Sequence, residues 1–237
     1  MISCNKRNLG CDGGSTAIGA KYAAENWFGG VATLKDYPYT DIDGVATENC
    51  LLNKQTMPAP VVEVKDPTMI VGLDDTSISF DKRLETFKIA LMKKPISVVL
   101  KSSCRLFSNY LSGILTDDDD CACSDSSCYD HSVLMVGYND THEVPYFKLK
   151  NSWGEEWGED GYFRVAQMEK GAFGLFGIFG EGITVKAEHN ANAGTVEEAE
   201  DDVFPIWAIA TIAVLSALSC CCFLYIGCVC WSRNQKE

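Results

Sequence analysis

The sequence predicts an α+β domain followed by a single transmembrane helix, and three observations carry that expectation. Two segments have apolar residues at helical spacing. Several short segments are rich in β-branched and aromatic residues and are separated by Gly and Asn-Asp punctuation. Val203 to Ser232 contains no charged residue. The first helix is expected over Ser15 to Trp27, stopped by Gly29-Gly30, and the second over Asp81 to Lys94, with Asp81 as candidate N-cap and Pro95 as its end. Strands are expected at Ile96–Lys101, Ser132–Tyr138, Tyr146–Lys150, Tyr162–Val165 and Gly182–Val185.

Ile206 to Val229 alone is long enough to cross a hydrocarbon core of roughly 30 Å. A buried core helix would carry polar punctuation along one face, and this stretch offers only Thr211, Ser216, Ser219 and Tyr225. Glu197, Glu198, Glu200, Asp201 and Asp202 precede the span while Arg233 and Lys236 follow it. The positive-inside rule therefore puts the short tail in the cytosol and the bulk of the chain outside, as a single-pass type I protein of a lysosome-like or endosomal lumen or of the cell surface. A cleaved lipid-anchor signal fits less well, because polar Ser232 to Glu237 follows the apolar run. Trp207 and Trp231 bracket the span as interface anchors, and Cys220, Cys221, Cys222, Cys228 and Cys230 are either palmitoylation sites or small packing residues. The expected organisation is a folded domain over 1–187, an acidic stalk over 188–203, the transmembrane helix over 204–231 and a cytosolic tail over 232–237.

Charge narrows the partners. A net charge of −13 and a pI near 4.6 leave no basic stripe to neutralise phosphates, so no nucleic acid is expected. Of twelve cysteines, seven lie outside the span (Cys4, Cys11, Cys50, Cys104, Cys121, Cys123 and Cys128), a density that suits an oxidising lumen. Seven is odd, so at least one is left over. Cys121, Cys123, Cys128 and His131 have a spacing like that of metal ligands, but thiols in such a compartment oxidise before they coordinate. Neither a metal nor a cofactor is expected.

The chemistry is concentrated in Tyr129-Asp130-His131-Ser132-Val133 and, downstream, Lys150-Asn151-Ser152-Trp153-Gly154 with Trp157-Gly158. A thiol nucleophile needs an imidazole to draw it toward thiolate, and the imidazole needs an amide oxygen on its far nitrogen to hold its tautomer and ring angle. A lone histidine is usually a core residue, yet His131 stands before an alternating strand and upstream of Asn151; His142 and His189 have no such context. The thiol itself is not found, since Cys4 and Cys11 read as structural.

Ser3-Cys4-Asn5 through Gly10-Cys11-Asp12-Gly13-Gly14, Asp36-Tyr37-Pro38-Tyr39, Lys94-Pro95-Ile96-Ser97-Val98-Val99, Asp130-His131 and Asn151-Ser152-Trp153-Gly154, in that order, resemble the papain family of cysteine peptidases. Val136-Gly137-Tyr138-Asn139-Asp140 and Val144-Pro145-Tyr146 are similar to its cathepsin L-like branch from kinetoplastids. The resemblance implies a two-lobe fold with a partial helical lobe and a β-barrel-like lobe, and peptide hydrolysis with His131 as base and Asn151 as its orienting partner. It places Gly13, Gly14, Ser15, Thr16, Val99, Asp130, Ser132, Trp157 and Ile178 in substrate binding. Val99, Ser132 and Ile178 would line an apolar pocket for leucine- or phenylalanine-sized side chains, with Ser15 and Thr16 on its other side. The implied partners are peptide or protein substrates, proteinaceous inhibitors and, through the C-terminal helix, a membrane.

The resemblance further implies a Cys4–Cys50 disulfide and a partner for Cys11 that this sequence does not contain. It also marks Phe173 as a departure where the family usually carries a cysteine, which leaves the pairing of Cys104, Cys121, Cys123 and Cys128 open. On this reading the nucleophilic cysteine and the helix it begins are missing, the sequence is a truncated form, and Ile18, Tyr22 and Trp27 face water. A catalytically inactive pseudo-peptidase that binds peptides or prosegments is the alternative. Asn139-Asp140-Thr141 is the one glycosylation sequon outside the span, in an expected turn.

Overall fold

The computed structural model describes residues 4–25, 29–33, 35–37, 50, 59–72, 75, 77–117, 120–123 and 125–191. The expected span 204–231, the tail 232–237, Trp27 and the membrane cysteines lie outside the described residues, and no helix among those described is long and apolar enough to cross a membrane. In chain order the elements are α1 (Thr16–Glu25), β1 (Gly30–Val31), β2 (Val62–Val71), α2 (Phe80–Leu91), β3 (Ile96–Leu100), α3 (Arg105–Ser108), β4 (Ile114–Leu115), β5 (His131–Asn139), β6 (Tyr146–Lys150), β7 (Tyr162–Ala166) and β8 (Gly182–His189). Short 3-10 turns lie at Gly10–Asp12, Ser126–Cys128 and Leu175–Gly177. The chain divides into two compact units, one of residues 1–67 with 185–237 and one of 68–184.

In the first unit the Ile18 backbone N–H donates to Ser15 Oγ at 3.4 Å, which makes Ser15 the cap of α1. Ala20 and Ala23 are buried, and Ile18 and Tyr22 are half-buried rather than facing water. The Cys4–Cys50 disulfide is present. β1 pairs antiparallel with β2, Gly30 opposite Glu63, and a side chain at Gly30 would collide with the Val62 carbonyl. β2 is absent from the sequence expectation because Asp66-Pro67 reads as a turn; the strand accommodates the proline with Asp66 at φ 48°. β8 runs past its expected end at Val185 and past the expected start of the stalk at 188. Glu188 pairs with Lys65 at 3.1 Å, and the Asn190 N–H donates to the Val61 carbonyl at 2.9 Å. An irregular acidic segment therefore cannot begin at 188, where the backbone is still in the sheet.

The second unit has strand order β8-β3-β5-β6-β7-β4, with β4 lying parallel to β7 at the edge. Among the described residues the sheet ends there and does not close into a barrel. Ser79, not Asp81, caps α2 by accepting from the Lys82 N–H at 3.4 Å; Asp81 sits in the first turn, where a carboxylate favours the helix dipole. The helix ends at Leu91, short of Pro95. Phe87, Phe107, Phe147, Phe163, Phe176 and Phe179 form the aromatic centre of the core. Arg83 is fully buried beside them, its guanidinium donating to the Phe179 carbonyl at 2.7 Å and the Ile78 carbonyl at 3.2 Å, with the Phe173 ring 4.8 Å away. Two disulfides, Cys104–Cys121 and Cys123–Cys128, settle the pairing that the sequence left open.

Candidate active site

His131 opens β5 and Asn151 directly follows β6, the strand paired antiparallel to β5 with Leu134 opposite Lys150. Strand pairing therefore brings together two side chains twenty positions apart in sequence, and His131 Nε2 lies 2.7 Å from Asn151 Oδ1. The Ser152 N–H donates to the same Oδ1 at 2.8 Å, which fixes that atom as the amide oxygen. The oxygen only accepts, so Nε2 must donate, and the neutral ring carries its lone pair on Nδ1. Trp153 packs over the imidazole with ring centroids 5.1 Å apart, and Phe107 meets it edge-on at 6.2 Å. Burial pushes the His131 pKa below its usual value, and the Asn151 hydrogen bond and the Asp130 charge oppose that shift without reversing it.

Asp130 holds the approach to His131. Its carboxylate accepts from the Ser102 N–H at 2.6 Å, the Ser102 hydroxyl at 2.9 Å and the Ser103 N–H at 3.1 Å, while its own N–H donates to the Leu100 carbonyl at 3.2 Å. The sequence offered Asp130 as a substrate contact; here its carboxylate is engaged by the segment that follows β3. Leu100 pairs with His131 and Val99 with Ser132 across β3 and β5. Val99 is 9% exposed and Ser132 half-buried, while Ile178 is fully buried in the core at the end of the Leu175–Gly177 turn. Trp157 lies in an aromatic cluster, 5.1 Å from Phe107, 5.4 Å from Tyr110 and 5.6 Å from Phe163.

Gly13, Gly14, Ser15 and Thr16 form a group in the first unit. Gly13 has φ 99°, a conformation that favours glycine, and a side chain at Gly14 would strike that of Asn8. Asn8 brackets the start of α1, accepting from the Ser15 N–H at 3.1 Å and donating to the Ser15 carbonyl at 3.3 Å; Thr16 is buried. Sequence reasoning missed Asn8, Ser102, Ser103 and Phe107, none of which carries a motif. Only the position of Asp130 next to His131 hinted that a carboxylate belonged there.

Cys4, Cys50, Cys104, Cys121, Cys123 and Cys128 are all in disulfides, so none of these six offers a thiolate to Nδ1. The donor atoms of Cys104, Asp120 and Cys121 cluster, but both sulfurs belong to the same disulfide and are not free to ligate. Within this chain the arrangement provides a proton acceptor with fixed tautomer and orientation.

The model of the papain family cysteine proteases matches residues 1–178. The chain belongs to that family. It is 34% identical over 179 residues to the "Probable cysteine protease RD21C" of Arabidopsis thaliana, covering 75% of this chain and 35% of the relative. It is 34% identical over 167 residues to "Cysteine proteinase B" of Leishmania mexicana, covering 70% and 33%. It is 35% identical over 167 residues to the "Viral cathepsin" of the Orgyia pseudotsugata multicapsid polyhedrosis virus, covering 70% and 44%. The chain thus spans about a third to a half of the length of these relatives, and identities of 34–35% do not single out the kinetoplastid branch. Its fold is similar to the bromelain protease of Ananas comosus, solved with the E64 inhibitor, at a TM-score of 0.60 and 25% identity over 78% of this chain and 74% of that one. A Carica candamarcensis cysteine protease, solved with E-64, matches at 0.60 and 24%, over 78% and 73%.

Proposed function

We propose that this chain is the C-terminal part of a membrane-anchored, papain-like cysteine endopeptidase that cleaves peptide bonds by a Cys-His-Asn mechanism. His131 is the general base and Asn151 its orienting partner, with Trp153 shielding their hydrogen bond. The observation that carries the reading is the 2.7 Å contact between His131 Nε2 and Asn151 Oδ1, held in one orientation by the Ser152 N–H. The nucleophilic thiol comes from sequence other than these 237 residues, because the described sulfurs are oxidised and the remaining cysteines are Cys11 and those of the apolar run. In the complete site Nδ1 takes the thiol proton, the thiolate attacks the scissile carbonyl, and the imidazolium returns the proton to the leaving amine.

Gly13 and Gly14 let a substrate backbone approach in extended form, and Val99, Ser132 and Ile178 select leucine- or phenylalanine-sized side chains. An arginine there would bury a guanidinium without a partner. The charge-free stretch Val203 to Ser232, with acidic residues before it and basic ones after, anchors the domain in a lumen or outside the cell, where the disulfides persist and Asn139 receives glycan. The test is hydrolysis of dipeptidyl fluorogenic substrates by the full chain, alone and after joining a papain-family N-terminal segment that carries the nucleophile. Activity that appears only in the joined form, and is lost in His131→Ala, supports the reading; a joined, folded protein that binds peptides without cleaving them supports the pseudo-peptidase.

A further inference from the structure

A cavity of about 300 Å³ in the second unit is lined by Ala122, Cys123, Lys170, Gly171, Ala172 and Phe173. It is mostly apolar, with half of a disulfide in its wall and one exposed ammonium. The two disulfides of this unit differ in setting. Cys104–Cys121 is part of the hydrophobic core, Cys121 being fully buried. Cys123–Cys128 closes a small ring with a sequence separation of 5 around the Ser126–Cys128 turn; its Cys123 half is 5% exposed and reached only where it borders the cavity, and its Cys128 half is partly exposed. Disulfides that are accessible to thiols are the ones that exchange.

We propose that Cys123–Cys128 is an exchangeable disulfide and a thiolation site, addressed through this cavity by a small carboxylate-bearing thiol, and that opening it unseats His131. The incoming thiolate attacks Cys123 Sγ, the bond to Cys128 Sγ breaks, and Cys128 leaves as a thiolate that takes a proton from water. Cys123 then carries a mixed disulfide. A second molecule of the same thiol displaces it, so two thiols are oxidised to one disulfide as the two cysteines are reduced. The Lys170 ammonium recruits the thiol's carboxylate. Its contact with Asp117 is 3.3 Å between groups that are each about half exposed, and surface pairs of this kind exchange partners at little cost.

The ring is tied to the site by the residues that follow it. The Tyr129 hydroxyl donates to the Gly177 carbonyl at 3.1 Å, and a side chain at Gly177 would strike Cys123 Sγ, so turn, tyrosine and sulfur are packed together. Asp130, with its grip on Ser102 and Ser103, and then His131 come next. The thiolation site stands apart from the peptidase assignment; only its consequence for His131 rests on that reading.

Treating the full chain with glutathione, and in parallel with glutathione diethyl ester, then alkylating and mapping peptides by mass spectrometry, tests the proposal. Glutathione should add at Cys123 before Cys104–Cys121 opens, about fivefold faster than the ester, the size a single exposed charge pair supplies. Lys170→Gln should abolish that preference and leave the ester's rate unchanged. The His131 ring resonances should shift at constant pH as the ring opens. Opening no earlier than Cys104–Cys121, or equal rates for the acid and the ester, overturns the thiolation site; an adduct that leaves the His131 resonances unmoved overturns the coupling. None of these readouts uses peptide hydrolysis, so failure of the peptidase reading remains separate.

Discussion

The strand-borne pair of His131 and Asn151 and the segment from Ser102 to Asp130 that leads into it are built by different means. The pair is placed by the β5–β6 ladder and needs one hydrogen bond and one overlying indole to complete its geometry. Among its described residues the leading segment contains α3, β4 and a 3-10 turn, and it is closed by two disulfides and the Asp130 carboxylate. A repeating ladder fixes orientation at each residue, whereas the segment depends on a few discrete ties, so single substitutions should act differently in the two regions.

The largest effect belongs to the pair. With the nucleophile supplied, His131→Ala should lower kcat/KM by on the order of 10⁶-fold, because base and nucleophile act as a unit. Asp130→Ala should cost far less activity, and steady-state kinetics on the joined protein separates the two. Equal losses would mean that the leading segment, not the ladder, sets the geometry of the base.

Next in size is the packing beneath both regions. Phe107 is fully buried and contacts His131, Trp153, Trp157, Phe163 and Phe176. Phe107→Ala should destabilise the chain by about 3–5 kcal/mol in urea unfolding. Asp130→Ala, which leaves the Ser102 and Ser103 donors without their carboxylate, should cost about 1.5–3 kcal/mol. A smaller Phe107 effect than Asp130 effect would reverse the ranking of packing over discrete ties.

A pH series sharpens the contrast further. Burial holds the folded His131 pKa below the 6.5 of the free side chain, so between the two values the unfolded chain binds more protons and acid favours unfolding. The contribution is complete above about 6.5 and is lost as pH falls through the folded value. Urea midpoints measured across that window should fall more steeply for the native sequence than for His131→Ala. Smallest of all is Thr141→Ala, which removes one 3.0 Å hydrogen bond to Asn139 and should cost about 0.5–1.5 kcal/mol. In a luminally expressed chain the same change should also abolish a glycosidase-sensitive mobility shift.

What the sequence made legible follows the same division. Tyr146–Lys150 was placed to the residue, and the starts of β3, β7 and β8 were found, because alternation and flanking turns mark a ladder locally. The contact between His131 and Asn151 was legible because their neighbours form motifs. β2 was hidden by Asp66-Pro67, and α3 and β4 are too short for periodicity. The Cys104–Cys121 and Cys123–Cys128 pairings and the engagement of Asp130 by Ser102 and Ser103 depend on which segments meet in space, and no local pattern records that. Asn8 escaped notice for a similar reason, since its role is set by the close approach of Gly14 and the start of α1 seven residues on.

The proposed function makes His131 an oriented base whose thiol is supplied by sequence outside these 237 residues. Labelling with a tagged E-64-type epoxide, followed by peptide mapping, tests it most directly on three proteins: the full chain, the chain joined to a nucleophile-bearing segment, and the joined form with His131→Ala. Label is expected on the added cysteine of the joined protein alone, strongly reduced by the substitution. His131-dependent label on any cysteine of the unjoined chain, Cys11 included, would contradict it.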